Sequence, residues 1–436
     1  MSEIKSKNIA KLNPFKNFIS GMEFNACIGD NSGTIREHRD TYIAEGFKKS
    51  AHLIYEGILS DKIFVDVAVY PMFYCCRHSI ELYLKVIIKQ LLWIYKMKKE
   101  EDASYTNIKK NLSYHNIKKL KNDFLSLQKV DPDCKKVFVS ELKYFDSLIR
   151  DYYFDDIPTA FRYTYKKNQQ DINLPDKKLM DIGIFYKKYE KLIKQLEYYD
   201  YFCDKLCADY ATKTFTEQLS RTQLEKISKQ LPPVTSNKFK IEKVKICKKY
   251  KLSSNQCSDA INKIKTHRAF SLNIGIENKF KHIRNKTIRK LVELIKISEQ
   301  IHILKPMAII KGETKFDDPK KNTQENQKIR EQLEMQFQTE GNKFIMSAKK
   351  QELAMLLSFV EIWKTGNYCE VLEKIYKRWL NYPVRDSVGY VLQNVCYNSA
   401  EKLLNGFKIC GQKTYIKIFE KYYRNNNKLF TSLVKN

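Results

Sequence analysis

Glycine and proline are scarce, at 13 and 10 residues in a chain of 436. Sandwiches, barrels and collagen-like repeats need more turn residues than this, so they are disfavoured. Cysteine is present without a pattern. Its 11 copies are odd in number and scattered, no Cys-x-x-Cys occurs, and Cys203 with Cys207 lacks a matching His or Cys pair. That argues against a disulfide framework and against zinc, and no metal or cofactor is expected. With seven histidines, no Gly-x-Ser-x-Gly and no His-Glu-x-x-His, the familiar hydrolase sites have no foothold. Long hydrophobic runs are missing too. VIIKQLLWIY is too short and too charged to span a bilayer, and MSEIKSKNIAKLNPF has no apolar signal core. A cytoplasmic protein without a membrane partner is the expectation.

What is present is helical spacing and positive charge. Apolar residues recur at three and four positions, which predicts an all-α chain. Ile43, Phe47, Ala51, Ile54 and Ile58 mark a first helix, and IFVDVAV (63–69) leads through Pro71 into a second with a kink or a late start. After a polar connection, KKEEDASYTNIKKNLSYHN (98–116), further helices are expected through Leu120–Leu127, over 137–150 and from Leu179 to about Tyr210. Others follow after Ser347, which can cap a helix that Gly366 stops, and then through Tyr390–Leu404 and over Tyr415–Tyr423. DDIPTAFRYTYKKNQQDINLPDKK (155–178) reads as a long loop, and QLPPVTSN (230–237) and GETKFDDPKKNTQENQ (312–327) as linkers. The resulting layout is a polar arm (1–40), a helical bundle (41–230), a basic helical region (238–311) and a C-terminal helical domain (328–436).

Basic residues number 79 against 50 acidic ones, a formal net charge of +29. A compact chain so charged repels itself unless an anion is near, and nucleic acid is the usual one. KFKHIRNKTIRK (279–290) concentrates Lys279, Lys281, Arg284, Lys286, Arg289 and Lys290 around Phe280 with no acid among them. It predicts phosphate contacts, with a solvated helix face as the alternative. Across the whole chain, 28 Tyr and 24 Phe among the cations suit stacking on unpaired bases, though most are expected in the core. Just before it, IEKVKICKKY, KLS and SNQCSDAINKIK spell helix, tight turn and helix, with Ser253 and Gln256 as a capping box. The spacing fits a helix-turn-helix DNA reader or an ordinary hairpin, and Lys251 stands where a turn glycine is usual. GFKICGQKT misses the phosphate-cradling Gly-x4-Gly-Lys-Thr loop by one inserted residue, Gln412, and follows a helical pattern rather than a strand.

One helix carries the remaining lead. In YPMFYCCRHSIELYLKVIIK (70–89), Tyr74, Arg77, His78, Glu81 and Lys85 form a polar stripe on an otherwise apolar helix. Buried charges must be paired or must face a cleft. One arrangement is an Arg77–Glu81 pair with His115 capping its helix and Arg162 locking a loop onto the stripe. The other is a cleft of Arg77, His78, Glu81, His115 and Arg162.

RHSIELYLK (77–85), YHNIKKL (114–120) and AFRYTY (160–165) resemble, in order and spacing, bacterial helical proteins of the HEPN type across residues 40–210. The resemblance implies a bundle of four or more helices, often a dimer, in toxin–antitoxin, abortive-infection and other anti-phage systems. Its catalytic members are metal-independent RNases with an Arg followed after four to six residues by a His. Here no Arg has a His five to seven positions later, and Arg77 and His78 are adjacent. The expected function is therefore RNA or single-stranded DNA binding in phage defence or stress response. The alternatives are a divergent ribonuclease using His78 or His115 as base beside Arg77 or Arg162, and a subunit that binds another protein.

Overall fold

A computed structural model describes residues 39–139, 142–153, 179–280, 282–304, 319–383, 388–397 and 400–423. Among them every regular element is helical, as the spacing predicts. The chain divides into two compact units, one of residues 1–96 and 100–204, the other of 97–99 and 205–436. The proline-marked segment at 230–237 thus falls inside the second unit. The loop expected over 155–178, and all but the end of the 1–40 arm, lie outside the described residues.

The first unit is built from α1 (Arg39–Leu59), α2 (Val65–Lys98), α3 (Ala103–Asn111), α4 (Ile117–Leu127), α5 (Pro132–Val139), α6 (Leu142–Ile149) and α7 (Ile182–Ala211). Phe64 O accepts from Val67 N and Ala68 N to open α2, which then runs through Pro71 without ending. From Met72 to Ile94 α2 is buried on almost every side, because its apolar residues surround its axis. Phe124 of α4, Phe138 of α5, Phe145 of α6 and Tyr199 of α7 meet in one aromatic cluster with centroids 4.7–6.0 Å apart. α3 arises where a polar connection is expected: Asp102 caps it by accepting from Tyr105 N at 2.8 Å, a local signal that outweighs the segment's polarity.

The second unit holds two cores. Leu224 and Ile227 of α8 (Arg221–Gln230), Phe239 and Ile246 of α9 (Phe239–Lys249), Ile261 and Ile264 of α10 (Ser254–Thr266), and Phe270 of α11 (Arg268–Asn273) make the smaller. The larger joins α12 (Asn285–Ile303) to α13 (Pro319–Ser347), α14 (Lys350–Thr365), α15 (Leu372–Asn381), α16 (Val388–Val391), α17 (Ala400–Ile409) and α18 (Lys413–Tyr423). Residues on either side of the expected 312–327 linker share that core, and its second half is the start of α13, with Pro319 in the first helical position. A π-helical turn, Leu392–Cys396, separates α16 from α17 where one continuous helix is expected.

Ser347 does not cap α14. Lys349 takes that place, and the Glu352 side chain accepts its N–H at 2.9 Å. Gly366 ends the helix in the left-handed region at φ 63°, as read from the sequence. Gly406 lets α17 approach α14 closely, since a Cβ there would lie 2.3 Å from Phe359 O. The GFKICGQKT stretch is accordingly the end of a helix: Gly411 turns at φ 62°, and the buried Gln412 side chain bonds Phe280 N and Asn278 O.

Candidate functional site

The α2 stripe closes on itself. Arg77 Nη1 donates to Glu81 Oε2 at 3.0 Å, Lys85 Nζ donates to Glu81 Oε1 at 2.9 Å, and His115 Nδ1 meets the same oxygen at 2.8 Å. Arg77 Nη2 donates to the His115 carbonyl at 2.6 Å. The Arg77 and Glu81 side chains are 2% and 1% exposed, whereas His115 is 55% exposed. Burial raises the Glu81 carboxyl, but the hydrogen bonds and charges of Lys85 and His115 outweigh it and hold the group below its ordinary value.

This is an internal staple that ties α2 to the start of α4. His115 supplies its carbonyl and its ring, while the cap itself is Asn116, whose side chain accepts from Lys119 N at 2.8 Å. His78 lies apart from the staple, with the Phe47 ring edge-on at 4.4 Å and the Tyr74 ring stacked at 5.6 Å. Burial pushes its imidazole below the ordinary histidine range. Arg162 lies outside the described residues. For ribose–phosphate chemistry, Arg77 would have to leave a buried carboxylate, a break that costs on the order of 3–5 kcal/mol.

The 279–290 segment splits into two kinds of residue. Phe280 is a core residue, 5% exposed, with the Arg268 guanidinium 3.7 Å over its ring, so it is no stacking platform. Arg284 is committed to Glu352, to which it donates through its backbone N–H and its guanidinium. Lys279, Lys286, Arg289 and Lys290 are exposed, and Lys279, Lys286 and Lys290 have no acidic partner among the described residues. Lys281 is outside them.

The helix-turn-helix pattern is built as a rigid corner. α9 ends with Leu252 N donating to Cys247 O at 2.9 Å and Lys251 N to Lys248 O at 3.1 Å, the two bonds of a Schellman ending. Lys251 adopts φ 54° where glycine is usual. Ser253 and Gln256 then form the capping box in full, each side chain accepting the other's backbone N–H. Cys247 of α9 and Cys257 of α10 are joined in a disulfide, with their Cα atoms 5.7 Å apart, a pairing that the scattered cysteines do not announce.

A second cluster has no warning in the sequence. Glu370 accepts from Arg221 Nε at 2.8 Å and pairs with His267 Nε2 at 2.9 Å, and the Cys369 thiol lies 3.6 Å from the same nitrogen. His267, Cys369 and Glu370 are close enough to hold a metal ion. The tautomer argues otherwise. His267 Nδ1 accepts the Phe270 N–H at 3.1 Å, so the ring proton sits on Nε2 and points at Glu370, leaving no lone pair there for a metal. Arg221 already neutralises the carboxylate. Burial pushes the Cys369 thiol up to about 12, which makes it a poor ligand and a poor nucleophile.

Among the described residues no helix is long and apolar enough to cross a membrane. No family model, no curated protein and no solved structure matches this chain.

Proposed function

We propose that this chain binds nucleic acid through the basic surface of its second unit. The observation that carries the reading is the set of exposed lysines without acidic partners at Lys279, Lys286 and Lys290, to which Lys238, Lys248 and Lys251 of the α9 region add. Other lysines of the same unit do pair with a neighbouring acid, as Lys229 does with Glu225 and Lys245 with Glu242. Charge left uncompensated over a folded surface attracts a polyanion and gains by releasing its counterions. The HEPN resemblance adds a setting, anti-phage defence, in which the first unit is the non-catalytic part of a nucleic-acid-binding protein.

The test is binding of the intact chain to labelled RNA, single-stranded DNA and duplex DNA between 50 and about 300 mM salt. Affinity falling steeply with salt, and weakened by Lys279→Ala, Lys286→Ala and Lys290→Ala together, supports the reading. Absent or salt-insensitive binding sinks it and turns the question to a protein partner. Protection of cells carrying the chain against phage, lost in the same triple variant, checks the setting.

A further inference from the structure

We infer that α10 is a recognition helix for the major groove of duplex DNA, an assignment that rests on the nucleic-acid reading above and names its substrate. The first ground is placement. α8, α9 and α10 surround one small core, and the Schellman ending, the left-handed Lys251 and the Ser253–Gln256 box fix α10 on α9 through a four-residue corner. This is the arrangement by which a second helix is held out for a groove.

The second ground is the division of α10 into faces. Cys257, Ala260, Ile261 and Ile264 are buried. Opposite them Asn255, Asp259, Asn262 and Thr266 recur at four, three and four positions, all exposed, in one outward stripe without an apolar member. The Asn255 and Asn262 amides and the Asp259 carboxylate have no partner within the described residues. An amide side chain pairs in two bonds with the N6/N7 edge of adenine, and a carboxylate accepts from cytosine N4, so each group matches a base edge and none needs a phosphate. A carboxylate in the middle of a merely electrostatic surface would repel the backbone it has to bind. Outside this stripe, Lys238 and Lys240 at the start of α9, Lys248 near its end, Lys251 in the corner and Lys265 of α10 are exposed, with no acidic partner among the described residues.

The third ground is what the segment does not offer. Phe239, Phe270 and Phe280 are buried, which takes the segment's phenylalanines away from stacking on unpaired bases. Duplex RNA hides its base edges in a major groove too narrow for a helix. From Asn255 to Thr266 the stripe is about 16 Å long, the rise of about five base pairs.

The experiment is selection by the intact chain, at about 150 mM salt, from a pool of duplexes with a random central segment and fixed arms, followed by sequencing. An enriched core of about five base pairs is expected. Asn255→Ala and Asn262→Ala should each weaken binding to the enriched duplex by roughly 5- to 100-fold. They should change binding to a scrambled duplex by less than twofold and leave the melting temperature alone. Lys238→Ala with Lys240→Ala should weaken both duplexes alike and lower the salt slope by about two. The inference is overturned if no sequence is enriched, if the two asparagine variants bind the enriched duplex like the unmodified chain, or if the separated strands bind better than the duplex. Salt-dependent binding that survives any of those results leaves the broader reading standing, whereas no binding to any nucleic acid removes both.

Discussion

Arg284 and Glu352, 68 positions apart, are joined by three donors from one residue onto one carboxylate: the Arg284 backbone N–H at 3.0 Å and Nε at 2.9 Å to Oε1, and Nη2 to Oε2. Thr287 Oγ1 and Lys349 N complete the set at 2.5 and 2.9 Å. One glutamate thereby fixes the start of α12 and the start of α14, which places the exposed lysines beside Arg284 on a rigid support.

Removing this carboxylate should be costly. Glu352→Ala leaves the Arg284 and Lys349 N–H groups and the Thr287 hydroxyl without their acceptor, and the lost helix caps should lower stability in chemical unfolding by about 1–2 kcal/mol. Burial raises the Glu352 carboxyl, but the bonds from Arg284 and Thr287 win and bring it down to about 2. A carboxylate lowered in the folded state contributes in full above its ordinary value near 4.5, and that contribution fades as pH falls toward 2. The stability gap between the unmodified chain and Glu352→Gln should be widest above about pH 4.5, narrow below it and close only as pH approaches 2. A gap that stays constant across that range would refute the assignment.

The Arg77 stripe should behave as structure. Arg77→Ala leaves the Glu81 carboxylate buried without its guanidinium, and a loss of about 3–5 kcal/mol is expected. Arg77→Lys keeps the charge and gives up the fork that spans Glu81 and the His115 carbonyl, so it should fall between the two. Neither change should alter RNA or DNA affinity at a temperature where the variant is folded. An unchanged melting temperature with lost cleavage or lost binding would make the stripe a site after all.

Much of this was legible in the sequence, and for a stated reason in each case. The Ser253–Gln256 box, the Gly366 stop and the Arg77–Glu81 pair are contacts between residues three or four apart, where helical spacing itself specifies who meets whom. Arg284 with Glu352 and the sinking of Phe280 beneath Arg268 depend on which helices pack together, and no local pattern carries that. Lys349 to Glu352 did have a signal, a glutamate at the third helical position, but Ser347 offered the stronger cap residue and masked it. Asp102 and Pro319, good first-turn residues, similarly marked α3 and α13 inside stretches whose polarity reads as linker.

The His267, Cys369 and Glu370 cluster should stay metal-free. With the Nε2 proton directed at Glu370 and Nδ1 taken by Phe270 N, zinc would have to displace Arg221 and break the α11 cap together. Equimolar zinc should leave the melting temperature where a chelator leaves it. A zinc-dependent rise that disappears in His267→Ala would overturn the hydrogen-bond assignment.

Lys251 offers a test of the corner that carries α10. A side chain at φ 54° costs about 1–2 kcal/mol relative to the ordinary helical region, whereas glycine takes that conformation freely. Lys251→Gly should therefore stabilise the chain, by about 1 kcal/mol once the greater freedom of an unfolded glycine is counted. The same change removes an exposed cation next to the recognition stripe, so affinity for duplex DNA should drop a few-fold and the salt slope by about one. Stability and binding would then move in opposite directions in one variant. If both fall together, Lys251 is needed for the corner's shape rather than strained by it, and the pose of α10 on α9 would have to be redrawn.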